Sequence, residues 1–158
     1  MTLTVDISDY KISAAADDLL VTYALGSCIA VMVHDPVRRA AGMIHFMLPE
    51  SELSPEKARH RPAMFADTGV PLLFHEMYRL GCRKPDLVVK VAGGSSLCDD
   101  RHLFAIGERN VKTVRSLFQR AGVHVAAADV GGAKSRTARL HVATGRCTIT
   151  SQGEEVEL

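Results

Sequence analysis

The chain has 158 residues, is 47% hydrophobic and 23% charged, and carries a formal net charge of +1. That size and composition suit one globular domain whose core needs neither disulfides nor metal. The near-zero charge gives no long-range argument for nucleic acid, an acidic membrane surface or a strongly acidic partner.

The N-terminal MTLTVDISDYKIS has no basic leader and no apolar run. No stretch approaches the roughly 20 apolar residues that cross a bilayer. A cytoplasmic protein without membrane insertion is expected. Alternation at Leu3, Val5 and Ile7 predicts a half-buried strand, and Asp17-Asp18 marks a turn before a second short strand, Leu19–Thr22. The segment ALGSC, residues 24–28, suits a tight bend. Two apolar strands follow, Ile29–His34 and Met43–Phe46, with Asp35-Pro36 as the breaker between them and Pro49 closing the second. Ser51–Arg61 is polar and predicts an exposed loop.

Beyond Pro62 the pattern turns helical. A helix starting near Pro71 and ending at Gly81 is expected, because proline is tolerated at the first helical position and not in the interior. Asp86–Ala92 predicts a strand ended by Gly93-Gly94. Glu108–Ala121 predicts the second main helix, with Val111, Val114, Leu117, Phe118 and Ala121 on one face and Gly122 as cap. Val123–Asp129 is a further strand before Gly131-Gly132, and Leu140–Ala143 with Cys147–Ile149 reads as a hairpin. The count is seven or eight strands and two main helices in a single α+β domain over residues 1–158. The Glu-rich tail from about residue 151 reads as loose.

Four cysteines, Cys28, Cys82, Cys98 and Cys147, are scattered and form no C-x-x-C pair, as reduced thiols would be. Neither they nor the seven histidines show the close ligand pairs of a zinc site, so no metal is expected. The two Gly-Gly turns match neither G-x-G-x-x-G nor the P-loop, so no nucleotide or other cofactor is expected either. Cys28 stands apart. It follows Gly26-Ser27, where backbone amides can face an oxyanion, and it opens a strand whose antiparallel neighbour would carry His45, 17 residues away. A thiol beside an imidazole is the minimum apparatus for nucleophilic acyl transfer, and the imidazole would favour the thiolate. The competing reading is a buried cysteine packed as a small hydrophobe, with His45 a hydrogen-bonded core residue. Cys82, Cys98 and Cys147 read as structural. Thr22 is either a plain strand residue or the group that orients His45, as a triad's third member does.

The order and spacing of ALGSC (Ala24–Cys28), HFMLP (His45–Pro49), Phe65-Ala66-Asp67, Ala92-Gly93-Gly94, Ile106-Gly107 with Arg109-Asn110, and Ala128-Asp129 with Gly131-Gly132 resemble the chemoreceptor glutamine deamidases (CheD) over nearly the whole chain. The departures are Ser95, Phe65, Ala133 and Ser135, with Arg136 kept. The resemblance implies packed mixed and antiparallel sheets flanked by helices, related to toxin-type cysteine deamidases. It implies Cys28 as nucleophile, His45 as base and acid, and Thr22 as the third polar residue, with Gly26 and Ser27 supporting the oxyanion. The implied substrates are glutamines of methyl-accepting chemotaxis receptors, with glutamyl methyl esters as a second possible class. A regulatory module that binds and stimulates a CheC-type chemotaxis phosphatase is the implied alternative.

Overall fold

The computed structural model describes residues 1–96 and 105–158. The reading of Cys98 as structural lies outside the described residues. Ten strands appear among the described residues: β1 (Thr2–Thr4), β2 (Asp9–Ser13), β3 (Leu19–Leu25), β4 (Ile29–Asp35), β5 (Ala40–Phe46), β6 (Val88–Gly93), β7 (Val125–Val130), β8 (Arg136–His141), β9 (Cys147–Ser151) and β10 (Glu154–Glu157). The helices are α1 (Pro55–His60), α2 (Ala66–Arg79) and α3 (Ile106–Ala121). The fold class is α+β, as the sequence predicts.

The strands form two five-stranded sheets, ordered β1-β3-β8-β9-β10 and β2-β5-β4-β6-β7. Both are mixed. The β1–β3 and β6–β7 pairs are parallel and the rest antiparallel. Strand β4 shows how the layers are built. Its alternate side chains Ala30 and Met32 join Leu20, Leu140 and Ile149 of the other sheet, while Ile29, Val31 and Val33 join Leu73, Met77, Val114 and Phe118 of α2 and α3. The protein is therefore a sheet on a sheet, with α2 and α3 covering the outer face of the second. Strands covered on both faces read as continuous apolar runs, which is why β4 and β5 are the plainest strands in the sequence. Burying a large side chain such as Phe46 or Ile29 there stabilises the fold by about 1.5–3 kcal/mol.

Several predicted boundaries move. Helix α2 begins at Ala66, and Pro71 lies inside it. The missing N–H is one bond near the start of a helix anchored by buried Ala66, Gly69, Val70, Leu73, Phe74 and Met77, and that packing outweighs the loss. The predicted loop Ser51–Arg61 contains α1, whose Pro55 occupies the first turn, where proline fits. Strand β8 begins at Arg136, not Leu140. The tail is not loose: β10 pairs antiparallel with β9 from Glu154↔Ser151 to Glu157↔Thr148. Arg146 lies within 4.0 Å of both Glu155 and Glu157 and offsets the acidity of that edge.

Candidate active site

The β4–β5 register pairs Ile29 with Phe46 and Ala30 with His45. His45 shares its face with Met43 and Ala41, which pack in the layer between the sheets. Cys28 lies two residues before Ala30, so it falls on the same face, as the diagonal neighbour of His45. It is half-buried at the mouth of the inter-sheet core, whereas His45 is fully buried.

Thr22 comes from the opposite sheet. Its Oγ1 lies 2.7 Å from His45 Nδ1 and 2.6 Å from the Val5 carbonyl oxygen. A carbonyl only accepts, so the single hydroxyl proton goes to Val5, and Oγ1 must accept from Nδ1–H. That chain fixes the tautomer and leaves the lone pair on Nε2, which is buried and has no hydrogen-bond partner among the described residues. The His45 backbone is held as well, because Ser8 N–H donates to the His45 carbonyl at 2.8 Å. Strand β3 breaks register between Thr22 and Leu25, with Ala24 at φ +55°. A bulge with a non-glycine residue in the left-handed region lets the strand end turn into the loop that carries Cys28.

That loop is tied down through its carbonyls. Ser95 N–H donates to Gly26 O at 2.8 Å, Asn110 Nδ2 to Ser27 O at 2.9 Å, and Gly94 N–H to Cys28 O at 2.9 Å. The N–H groups of Gly26, Ser27 and Cys28 make no hydrogen bond to another residue among those described. The first Gly-Gly turn, Gly93-Gly94, packs directly against this loop. A Cβ on Gly93 would collide with the Cys28 carbonyl, and one on Gly107 with the Ser95 carbonyl. Behind them, buried Arg136 donates to Ser95 Oγ at 2.7 Å, Gly93 O at 3.2 Å, Gly131 O at 2.8 Å and Asp129 Oδ1 at 3.3 Å. One guanidinium thus joins both glycine turns.

Charge is disfavoured on both partners. Burial pushes the Cys28 thiol above its ordinary value, against a smaller pull from its own backbone N–H. Burial pushes His45 down to about 4, with Asp6 opposing weakly. This corrects the sequence expectation that the imidazole would hold the thiol as thiolate. At neutral pH the site rests as thiol and neutral imidazole, and no hydrogen bond joins Cys28 Sγ to His45 Nε2. Such a pair can still do acyl chemistry, provided the proton moves as the sulfur attacks.

Cys147 lies in the inter-sheet core with Sγ 3.3 Å from Met32 Sδ, and Cys82 is buried on the helix side, so both pack as structural thiols. Asn110 is the site residue whose role sequence reasoning missed. Its signal was present in Arg109-Asn110, but an asparagine on the buried face of a helix carries no sign of what it holds. Among the described residues no cluster of three or more His, Cys, Asp or Glu side chains could hold a metal, and no helix is long and apolar enough to cross a membrane.

Comparison with known proteins identifies the family of the chain. A family model described as CheD chemotactic sensory transduction matches residues 47–151. The probable chemoreceptor glutamine deamidase CheD 1 of Syntrophus aciditrophicus (strain SB) is 47% identical over 149 residues, 94% of this chain and 93% of its own length. The probable chemoreceptor glutamine deamidase CheD 2 of Anaeromyxobacter dehalogenans (strain 2CP-C) is 49% identical over 154 residues, 98% of this chain and 96% of its own. A third such protein, from Solibacter usitatus (strain Ellin6076), is 39% identical over 156 residues, 99% of this chain and 92% of its own. The family model begins at Met47, after the Thr22–His45 segment, but these relatives span both. On this evidence the chain belongs to the CheD family.

Proposed function

We propose that this chain is a protein-glutamine deamidase, hydrolysing glutamine side chains of methyl-accepting chemotaxis receptors to glutamate. The site would sit in a single domain over residues 1–158 that works in the cytoplasm without cofactor or metal. The substrate class rests on the names of relatives that align over more than nine-tenths of the chain. The chemistry rests on one observation. The Val5–Thr22–His45 relay leaves an unprotonated, unpartnered Nε2 on the face that carries Cys28.

In the proposed reaction His45 Nε2 takes the Cys28 proton as Sγ attacks the side-chain amide carbon, and the carbonyl oxygen becomes an oxyanion facing the loop N–H groups. Collapse breaks the C–N bond, and the nitrogen leaves as ammonia carrying the proton from Nε2. A thioester remains. Nε2 next deprotonates water, hydroxide adds to the thioester carbon, and the C–S bond breaks to give glutamate. The sulfur recovers the proton from His45. Thr22 holds Nδ1–H throughout, so the ring does not turn.

The test is incubation with a receptor cytoplasmic fragment and peptide mass mapping of amide-to-acid conversion. The wild type should convert selected glutamines and Cys28→Ala none. Conversion that survives Cys28→Ala would overturn the mechanism. A wild type that converts none, yet stimulates a CheC-type phosphatase as well as Cys28→Ala does, would favour the binding-module alternative.

A further inference from the structure

Asn110 sits on α3 with no exposed surface, and its side-chain nitrogen donates to two backbone carbonyls, Ser27 O at 2.9 Å and Met47 O at 3.0 Å. Both neighbours can only accept, so the amide group facing them is the NH2, and both its protons are used. The two carbonyls belong to the site's two arms. Ser27 immediately precedes Cys28, and Met47 stands two residues beyond His45. One side chain therefore clamps the nucleophile loop to the end of the strand that carries the base.

Peptide geometry gives this clamp a chemical consequence. No peptide bond among the described residues is cis, so the Ser27 C=O and the Cys28 N–H lie in one plane and point in opposite directions. Pulling the Ser27 oxygen inward onto Asn110 turns the Cys28 N–H outward, away from α3. The Ser95 N–H does the same to the preceding plane by holding Gly26 O at 2.8 Å, which turns out the Ser27 N–H. Neither N–H is spent on another residue among those described. We propose that Asn110 is a positioning residue that aims the Cys28 N–H at the oxyanion of the acyl-transfer step. The inference rests on Cys28 being the nucleophile, and the experiment separates the two ideas.

Asn110→Ala and Asn110→Asp would be compared with the wild type and Cys28→Ala for kcat and KM on a receptor fragment, and for the rate of Cys28 alkylation by iodoacetamide. Alkylation displaces iodide at a saturated carbon and forms no oxyanion, so it reports the thiol without the donor. Losing one aligned oxyanion donor should lower kcat roughly 100-fold, with KM and the alkylation rate within about threefold of wild type. A buried aspartate facing two carbonyls can donate one proton when neutral and none when charged. It therefore keeps the shape, loses at least one of the two donors, and gives a loss in the same direction if the alanine variant does not fold. A kcat near the wild-type value overturns the proposal. So does a parallel fall in kcat and alkylation, which would mean a displaced thiol, and so does failure of both variants to fold, which would make Asn110 purely structural. Turnover that persists in Cys28→Ala would remove the nucleophile reading itself, whatever Asn110 does.

Discussion

Two buried histidines occupy the layer between the sheets, one at each end of the β4–β5 hairpin, and they are held in opposite ways. His34 pairs with Ala41 at the turn end, and its Nε2 lies 2.9 Å from the carbonyl of Val142, in the turn that follows β8 of the other sheet. A carbonyl accepts only, so Nε2 is the protonated nitrogen and is committed. Gly145 leaves no room for even a methyl group beside the Nδ1 side of the ring. His45 also reaches across to the other sheet, but it meets a hydroxyl whose proton is already given to Val5. That puts the proton on Nδ1 and leaves Nε2 free beside the cysteine's face. Burial is common to both, and lowers the pKa of both. What separates a core histidine from a candidate base here is the acceptor offered by the facing sheet.

Exchanging each ring breaks this comparison most sharply. His45→Gln should lower deamidation by about 1,000-fold, the range of a lost general acid–base group. His34→Gln should leave turnover within a few-fold and instead lower the unfolding midpoint in urea. Equal losses of activity would erase the distinction. The relay can be cut next. Thr22→Val keeps the shape but strands Nδ1–H and the Val5 carbonyl, and should lower kcat roughly 100-fold by freeing the other tautomer. Thr22→Ser should recover most of that rate, and a valine variant as active as the serine variant would contradict the relay.

The pH dependence of stability follows from the same burial. His45 has a folded value of about 4 against 6.5 unfolded. As pH falls the unfolded chain binds the proton first. The contribution is therefore complete above 6.5 and is lost as pH drops from 6.5 towards 4, about 3 kcal/mol in all. The His34 shift has the same sign. Urea unfolding at pH 7 and pH 4.5 should show a large loss that is smaller in His45→Gln, and identical slopes in the two proteins would rule out His45 as its source. The smallest effect belongs to the turn end. Gly145→Ala places a Cβ against the His34 ring at φ +75° and should cost about 1–3 kcal/mol, with turnover unchanged.

Much of the candidate site was legible in the sequence because β4 and β5 are buried on both faces, so their apolar runs and the breaker between them mark the hairpin. The alternation of the pleat then puts Cys28 and His45 on one face. Thr22 was harder to place, since its contact crosses between sheets and no local pattern shows which strands face each other. Strand β8 was shortened because Arg136 and Arg139 look exposed. Arg136 in fact points inward, and its two terminal nitrogens donate to carbonyls from both glycine turns, a compensation invisible before the fold is known. Strand β10, Glu154–Glu157, has every residue exposed and is held through backbone pairing, so it leaves no hydrophobic signal. The thiolate expectation failed for a related reason. Sequence shows a histidine near a cysteine, but not the depth of the core that makes charge on either one costly.

Ring-nitrogen NMR on the 15N-labelled protein at neutral pH reads the protonation pattern of the two imidazoles directly. Opposite neutral tautomers are expected: His34 protonated at Nε2, and His45 protonated at Nδ1 with a bare Nε2 that takes up a proton only near pH 4. A His45 ring protonated at Nε2, or one that titrates at 6.5 or above, would contradict this pattern.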